Sequence, residues 1–318
     1  MLVLFNSLLP HGEMLSGGAQ IVLETIKNEY PLTVSLPSRG GWLVMKHLKG
    51  AKYLFTKTPF NGGNRVTVFL NWVVMAIRGC RFNVNEDIVT SGDFFCDVIP
   101  GVFLKGKNKL TIYTFHIITR KRIVPYLMQQ LSILLMRKAD KVVVLNTVIK
   151  DYLINKGILA NRIFVQEVEV DEEAIKKVPN QTKIYEACFM GRLSPSKGIF
   201  ILPEIWQGMK GKLLVIGGGG FASDVQKLKK LCNENIVFVG HKDGEEKYRL
   251  MKQAKIFIHP SYEEGLSLTI KEALACDLPV VAWESPIYKE IYGDRLFTAP
   301  VGDIGKFRQK IKEALCGH

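Results

Sequence analysis

Two glutamates, two basic residues and a run of glycines carry the chemistry this sequence suggests. Glu264 and Glu272 lie within HPSYEEGLSLTIKEALACDLPVVA, residues 259–282. Short β runs, Lys255–Ile258 and Pro279–Ala282, bracket a segment in which Leu266, Ile270, Ala273 and Leu274 recur at helical spacing. The expected order is strand, tight loop, helix, strand, with Gly265 making the sharp turn and Ser267 capping the helix. A helix that starts at the carboxyl end of a strand offers its first amides to a phosphate or a sugar hydroxyl. Two glutamates at this spacing mean little alone. The bland reading is one solvated loop residue and one on a helix surface.

Upstream, Met190-Gly191-Arg192-Leu193-Ser194-Pro195-Ser196-Lys197-Gly198 follows another expected strand. Gly191 permits a tight turn. Arg192 and Lys197 can both reach a diphosphate, the first through a flat fork of donors and the second as a point charge. Val215-Ile216-Gly217-Gly218-Gly219-Gly220 ends the next strand, where glycines allow close backbone approach. Gly217, Gly219 and Ala222 also fit the dinucleotide fingerprint G-x-G-x-x-A, but four consecutive glycines satisfy that pattern easily. Ser16-Gly17-Gly18 follows the first strand of the chain, and His116 ends the β run Lys109–Phe115. Either is also readable as a structural feature: a flexible turn, and a histidine without a ligand.

The spacing of Glu264 and Glu272 within EEGLSLTIKEALA resembles the E-x7-E signature of the retaining glycosyltransferases of family 4, which have the GT-B fold. The segment from Gly191 to Gly198 resembles that family's G-R-L-x-x-x-K-G. The resemblance implies that Arg192 and Lys197 neutralise a leaving nucleoside diphosphate and that Glu272 grips the ribose. It places Glu264 near the donor sugar or its phosphates, with the amides of Gly265, Leu266, Ser267 and Leu268 positioning that sugar. It further implies that Gly217 and Gly218 lie beside the nucleotide, that Gly17 and Gly18 line the cleft, and that His116 faces the donor sugar. Asp277 departs from the family, which usually has glycine there, so a different turn after the helix is open. The resemblance is specific over residues 188–282 and loose over 1–180.

These residues need a scaffold of alternating strands and helices. The chain has 318 residues, 47% of them hydrophobic, enough for two α/β domains with their own cores. Strand-like runs alternate with helical ones up to about residue 155. The charged stretch EVEVDEEAIKKVPNQT, residues 167–182, then interrupts the pattern, which restarts at 184. The expected architecture is therefore α/β with two domains, and the resemblance implies two Rossmann-like doubly wound domains facing a central cleft. It further implies that residues 1–178 form the acceptor-binding domain and 179–318 the nucleotide-sugar-binding domain. A helix is expected near 197–209. Asp140 is read as a structural turn between helix and strand.

Charge and cysteines narrow the partners. The net charge is +13. Residues 1–178 carry 23 basic and 14 acidic side chains and hold most of that excess. An anionic partner is implied: a membrane surface or lipid phosphate, with nucleic acid set aside because no stacking module accompanies the charge. The basic triplet Arg120-Lys121-Arg122 has apolar flanks and marks the candidate membrane segment. No Cys-x-x-Cys spacing and no Asp-x-Asp triad occurs, so no metal is expected. MLVLFNSLLP has no basic residue before its apolar run and reads as a first strand instead of a signal peptide. The expected location is cytoplasmic, extending to a peripheral place on the cytoplasmic face of a membrane.

The resulting expectation is metal-independent transfer of a hexose from a nucleotide sugar, UDP-linked in the first instance, to a saccharide or lipid-linked saccharide. No cofactor is obligatory. Two alternatives remain open: a nucleotide-sugar 2-epimerase of the same fold, and a silent scaffold subunit that binds the nucleotide sugar without turnover.

Overall fold

Apolar strands flanked by amphipathic helices build two separate parallel sheets in the computed structural model, which describes residues 1–8, 15–61, 64–118 and 122–317. Pro10, His11 and Gly12 of the expected first loop lie outside the described residues, as do Arg120 and Lys121 of the basic triplet. The chain divides into one unit over Met1–Val168 and another over Glu169–His318.

The first unit runs β1 (Leu2–Leu4), α1 (Gly17–Ile26), β2 (Thr33–Pro37), α2 (Trp42–Met45), β3 (Lys52–Thr56), α3 (Arg65–Gly79) and β4 (Ile88–Thr90). It continues with α4 (Phe95–Phe103), β5 (Leu110–Thr114), α5 (Ile123–Met136), β6 (Lys141–Val144), α6 (Thr147–Asn155) and β7 (Ile163–Val165). Its seven strands lie in the order β3-β2-β1-β4-β5-β6-β7, all parallel. Leu2, Val3 and Leu4 pair in register with Thr33–Ser35 on one side and Ile88–Thr90 on the other, so β1 is buried on both faces. Asp140 accepts the Leu110 N–H at 2.8 Å and ties the start of β6 to β5. Asn146 caps α6 through the Ile149 N–H at 2.8 Å.

The second unit runs α7 (Glu172–Lys177), β8 (Tyr185–Met190), α8 (Leu202–Trp206), β9 (Leu213–Ile216), α9 (Ala222–Leu231), β10 (Ile236–Gly240) and α10 (Gly244–Lys252). It ends with β11 (Ala254–His259), α11 (Leu268–Ala275), β12 (Val280–Trp283), α12 (Pro286–Tyr292), β13 (Leu296–Ala299) and α13 (Ile304–Cys316). Its six parallel strands lie in the order β10-β9-β8-β11-β12-β13. Both sheets have the doubly wound order, which reverses between β1 and β4 and again between β8 and β11. Ligands of such sheets bind at the carboxyl ends of the strands at that reversal. The core of the second unit centres on Phe189, Trp206, Trp283 and Phe307, all buried.

Three expectations change. The division falls at Val168/Glu169, earlier than 178/179, because the charged stretch folds as α7, capped by Asp171 and packed on α11. The helix expected over 197–209 is broken into two 3-10 turns and the short α8. Gly198 in the left-handed region (φ 73°) and Pro203 at the start of α8 account for the break. Gly265 does not supply the left-handed turn before α11; Ser267 does, at φ 57°.

Candidate active site

The carboxyl ends of β8 and β11 are neighbours at the reversal point of the second sheet, and the loops that leave them bring the predicted charges together. Lys197, from the loop after β8, makes an ion pair with Glu264, from the loop after β11. The same Glu264 oxygen lies 3.0 Å from His259 Nε2, at the last position of β11. His259 is 2% exposed, and its Nδ1 has no hydrogen-bond partner among the described residues. Burial opposes the charge on Glu264, yet Lys197 and the hydrogen bond from His259 hold its carboxyl far below the usual carboxylate range. Arg192 sits half-buried on the same loop as Lys197. Burial lowers its pKa, while the charge on Glu264 works the other way. A cavity lined by Ser261, Tyr262, Trp283 and Tyr288 opens beside Glu264.

The glycines hold these loops at backbone distance. A Cβ on Gly217 would fall 1.9 Å from the Gly191 carbonyl oxygen, and one on Gly198 would fall 2.1 Å from that of Pro260. The Gly218 carbonyl accepts the Leu193 N–H at 3.1 Å. The glycine run after β9 therefore serves the Arg192 loop as its packing surface.

Ser267 occupies the N-cap position of α11 but makes no side-chain cap, contrary to expectation. Its hydroxyl lies 3.2 Å from His259 Nε2 and 3.2 Å from Thr269 Oγ1. Tyr292 secures the strained turn by donating to the carbonyls of Leu266 (2.7 Å) and Ser267 (3.1 Å). Leu266 and Gly265 are buried, and Leu268 is partly exposed. Asp277 takes the left-handed conformation, φ 58°, that glycine would otherwise supply, so the turn after α11 is kept.

Glu272, farther along α11, is drawn to α10. Its Oε1 accepts from Lys247 Nζ at 2.7 Å and from Tyr248 OH at 3.2 Å. Burial works against the Lys247 charge, but Glu272 keeps its pKa above the ordinary lysine value. Neither partner was visible in the sequence. Lys247 stands 25 residues from Glu272, and only the β10–α10–β11 crossover brings the two together.

The first unit carries its own polar group at the ends of β1, β4 and β5. Ser16 caps α1 by accepting the Ala19 N–H at 3.1 Å. Gly17 is exposed, and Gly18 packs so closely that a Cβ would meet the Phe115 ring at 2.5 Å. The carbonyl of His116 accepts from Gln129 Nε2 at 2.7 Å, and the same amide donates to Asp93 Oδ2 at 2.7 Å. Gln129 Oε1 accepts the Ile118 N–H at 2.8 Å. Burial raises the Asp93 pKa against the opposing pull of His116 and Gln129. Asp97 is pushed up to about 8 by burial, although the Asn6 N–H donates to it at 2.7 Å. The sequence reading missed Asp93, Asp97 and Gln129; buried polar residues in SGDFFCD and on α5 were the available signal. Among the described residues, no group of three His, Cys, Asp or Glu side chains could hold a metal ion.

Residues 170–317 match the family described as glycosyl transferases group 1. An uncharacterized glycosyltransferase of Methanocaldococcus jannaschii (MJ1069) is 27% identical over 229 residues, 63% of this chain and 58% of that protein. The O-antigen chain mannosyltransferase B of Escherichia coli is 29% identical over 138 residues, 41% of this chain and 36% of that protein. The matched region thus spans little more than half, or less, of each relative. Among solved structures, Anabaena HepE in complex with UDP and glucose superposes with a TM-score of 0.72 at 16% identity, covering 98% of this chain and 88% of that one. The sucrose-phosphate synthase of Thermosynechococcus elongatus gives 0.71 at 16% identity, covering 99% and 89%. The chain therefore has the GT-B fold of two Rossmann-like α/β domains, and its second unit carries the match to the glycosyl transferases of group 1.

Proposed function

We propose that this protein is a retaining glycosyltransferase that moves a hexose from a nucleoside diphosphate sugar, UDP-linked in the first instance, to a saccharide or lipid-linked saccharide. The observation that carries this reading is the joining of Lys197 and Glu264 at the β8/β11 reversal point, with Arg192 on the same loop as Lys197. Two cations at strand ends suit a diphosphate whose negative charge grows as the glycosidic bond breaks. Glu264 orients Lys197 and, through His259, the strained Ser267 turn beside the donor sugar. Glu272, held ready by Lys247 and Tyr248, takes the ribose hydroxyls.

Reaction on one face of the sugar accounts for retention. The bond from the anomeric carbon to the diphosphate oxygen breaks and the acceptor oxygen bonds from the same side. The acceptor hydroxyl proton passes to the departing phosphate oxygen. Arg192 and Lys197 balance the diphosphate charge, so no metal or other cofactor is required. Full activity in the presence of a chelator is the expected result. In the first unit, the Gly17-Gly18 loop is the proposed contact for donor phosphate and acceptor, and His116 the proposed contact for the donor sugar.

Thermal melting with UDP, GDP, ADP, dTDP and NAD is the test. A ligand at a hundred times its dissociation constant adds about 2.7 kcal/mol of stability. UDP is expected to raise the midpoint in the wild type and not in Glu272→Ala. No shift with any nucleoside diphosphate, or a shift with NAD alone, would sink the reading. Product analysis with donor alone separates transfer from 2-epimerisation, which needs no acceptor.

A further inference from the structure

Helix α5 is apolar on both faces, with Ile133 and Met136 buried and a second apolar stripe exposed. Gln129 and Ser132 are buried, whereas Ile123, Val124, Leu127, Leu131 and Leu134 are each between 40% and 67% exposed. Their spacing places all five on one stripe of the helix. Helix α3 repeats the pattern: Val68, Asn71, Met75 and Ala76 are buried, while Val66, Leu70 and Ile77 face outward. Right-handed crossovers from β3 to β4, β4 to β5 and β5 to β6 put α3, α4 and α5 on one face of the sheet. A shared cluster of Met75, Ala76, Phe95 and Cys96, with Met128 packed against it, holds the three helices side by side. Phe103 of α4 adds another outward ring, 52% exposed, with Lys138 Nζ 5.2 Å from its centroid. An apolar surface of this extent on three adjoining helices is not ordinary solvent-facing structure.

The surrounding charge is mostly basic, with Glu86, Asp87 and Asp140 the acidic side chains that reach solvent beside these helices and Asp93 and Asp97 buried. Residues 57–85 contain Lys57, Arg65, Arg78 and Arg81 and no acidic residue. Residues 98–139 contain eight basic residues and no acidic one. No described helix is long and apolar enough to cross a bilayer. We propose that the outer face of α3, α4 and α5 docks on the surface of an anionic lipid bilayer, with the apolar stripes among the acyl chains and the cations at the headgroups. A second copy of this chain is the disfavoured occupant, because two such faces would bring like charges together. Helix α5 begins at the carboxyl end of β5, so docking brings lipid headgroups to the end of the sheet that carries the Gly17-Gly18 loop, the proposed acceptor contact. That consequence selects the lipid-linked acceptor and rests on the transfer reaction proposed above; the docking face itself stands on α3–α5 alone.

Vesicle flotation tests it with the full chain. Vesicles of phosphatidylcholine are compared with vesicles that also contain phosphatidylglycerol, at low and high salt. The expected result is flotation with the anionic vesicles only, weakened by salt. Lys138→Glu should weaken it by at least about fivefold, the worth of one cation near the surface. Leu127→Glu and Leu131→Ser should reduce it while leaving the melting midpoint and its response to UDP unchanged. Absence of flotation, equal flotation of the variants, or equal flotation with neutral vesicles overturns the proposal. So does a lipid-free dimer that the leucine variants dissociate, because the face would then belong to a second copy. The two proposals fail separately: a UDP response without flotation removes only the docking face, and flotation without a UDP response removes only the transferase reading.

Discussion

Glu264 is a mostly buried carboxylate and Asp97 a fully buried one, and their surroundings push them in opposite directions. Glu264 has a depressed folded pKa, so its contribution to stability is present above its unfolded value near 4.5 and is lost as pH falls through the folded value. Glu264→Gln leaves Lys197 without its counter-charge and should cost roughly 1–3 kcal/mol near neutral pH. The gap between the two melting curves should narrow under acid; a gap that stays constant would contradict the assignment. Asp97 has a raised folded pKa. Between its unfolded 3.8 and about 8 the folded state binds more protons, so stability declines as pH rises through that window. Asp97→Asn should flatten the decline and gain more than about 1.4 kcal/mol at its alkaline end, the worth of one pKa unit. Denaturant titrations across that window decide it.

Loop packing decides what each element of the second unit tolerates. Gly217→Ala would drive a Cβ into the Gly191 carbonyl, a backbone atom that cannot swing aside. The expected cost is about 1–3 kcal/mol, with weakened UDP binding because the Arg192 loop must move. Asp277→Gly removes left-handed strain of about 1 kcal/mol and should be neutral or stabilising; a clear loss would show that the Asp277 side chain has a role. Legibility follows the same division. Strands and long helices could be read because their apolar period is local, and the Glu264 and Lys197 loops because they sit at strand ends. Helix α4 escaped notice because Pro100 lies inside it, and α7 because its charge read as a linker. The Lys247–Glu272 pair escaped because residues on different elements meet only through the sheet order. Ser267 was misread because a serine before a helix ordinarily caps it, whereas here its hydroxyl serves His259.

At the scale of the whole molecule, the proposed donor-side residues Arg192, Lys197, Glu264 and Glu272 all belong to the unit over Glu169–His318. Hydrogen exchange with UDP should therefore slow in peptides covering 191–198, 244–252 and 259–272 and stay unchanged in β2 and β3. Protection confined to the first unit would contradict the proposed donor site. The first unit has a different mechanical character. Gln129 uses its single side-chain amide to bind Asp93, the His116 carbonyl and the Ile118 N–H, so α5 is bolted to the loops after β4 and β5. The outward side of that helix carries its exposed leucines, and the inward side carries the bolt. Rolling or tilting of α5 on whatever surface it rests against must drag His116 with it, which makes this helix a lever whose footing sets the posture of the loops at that end of the sheet.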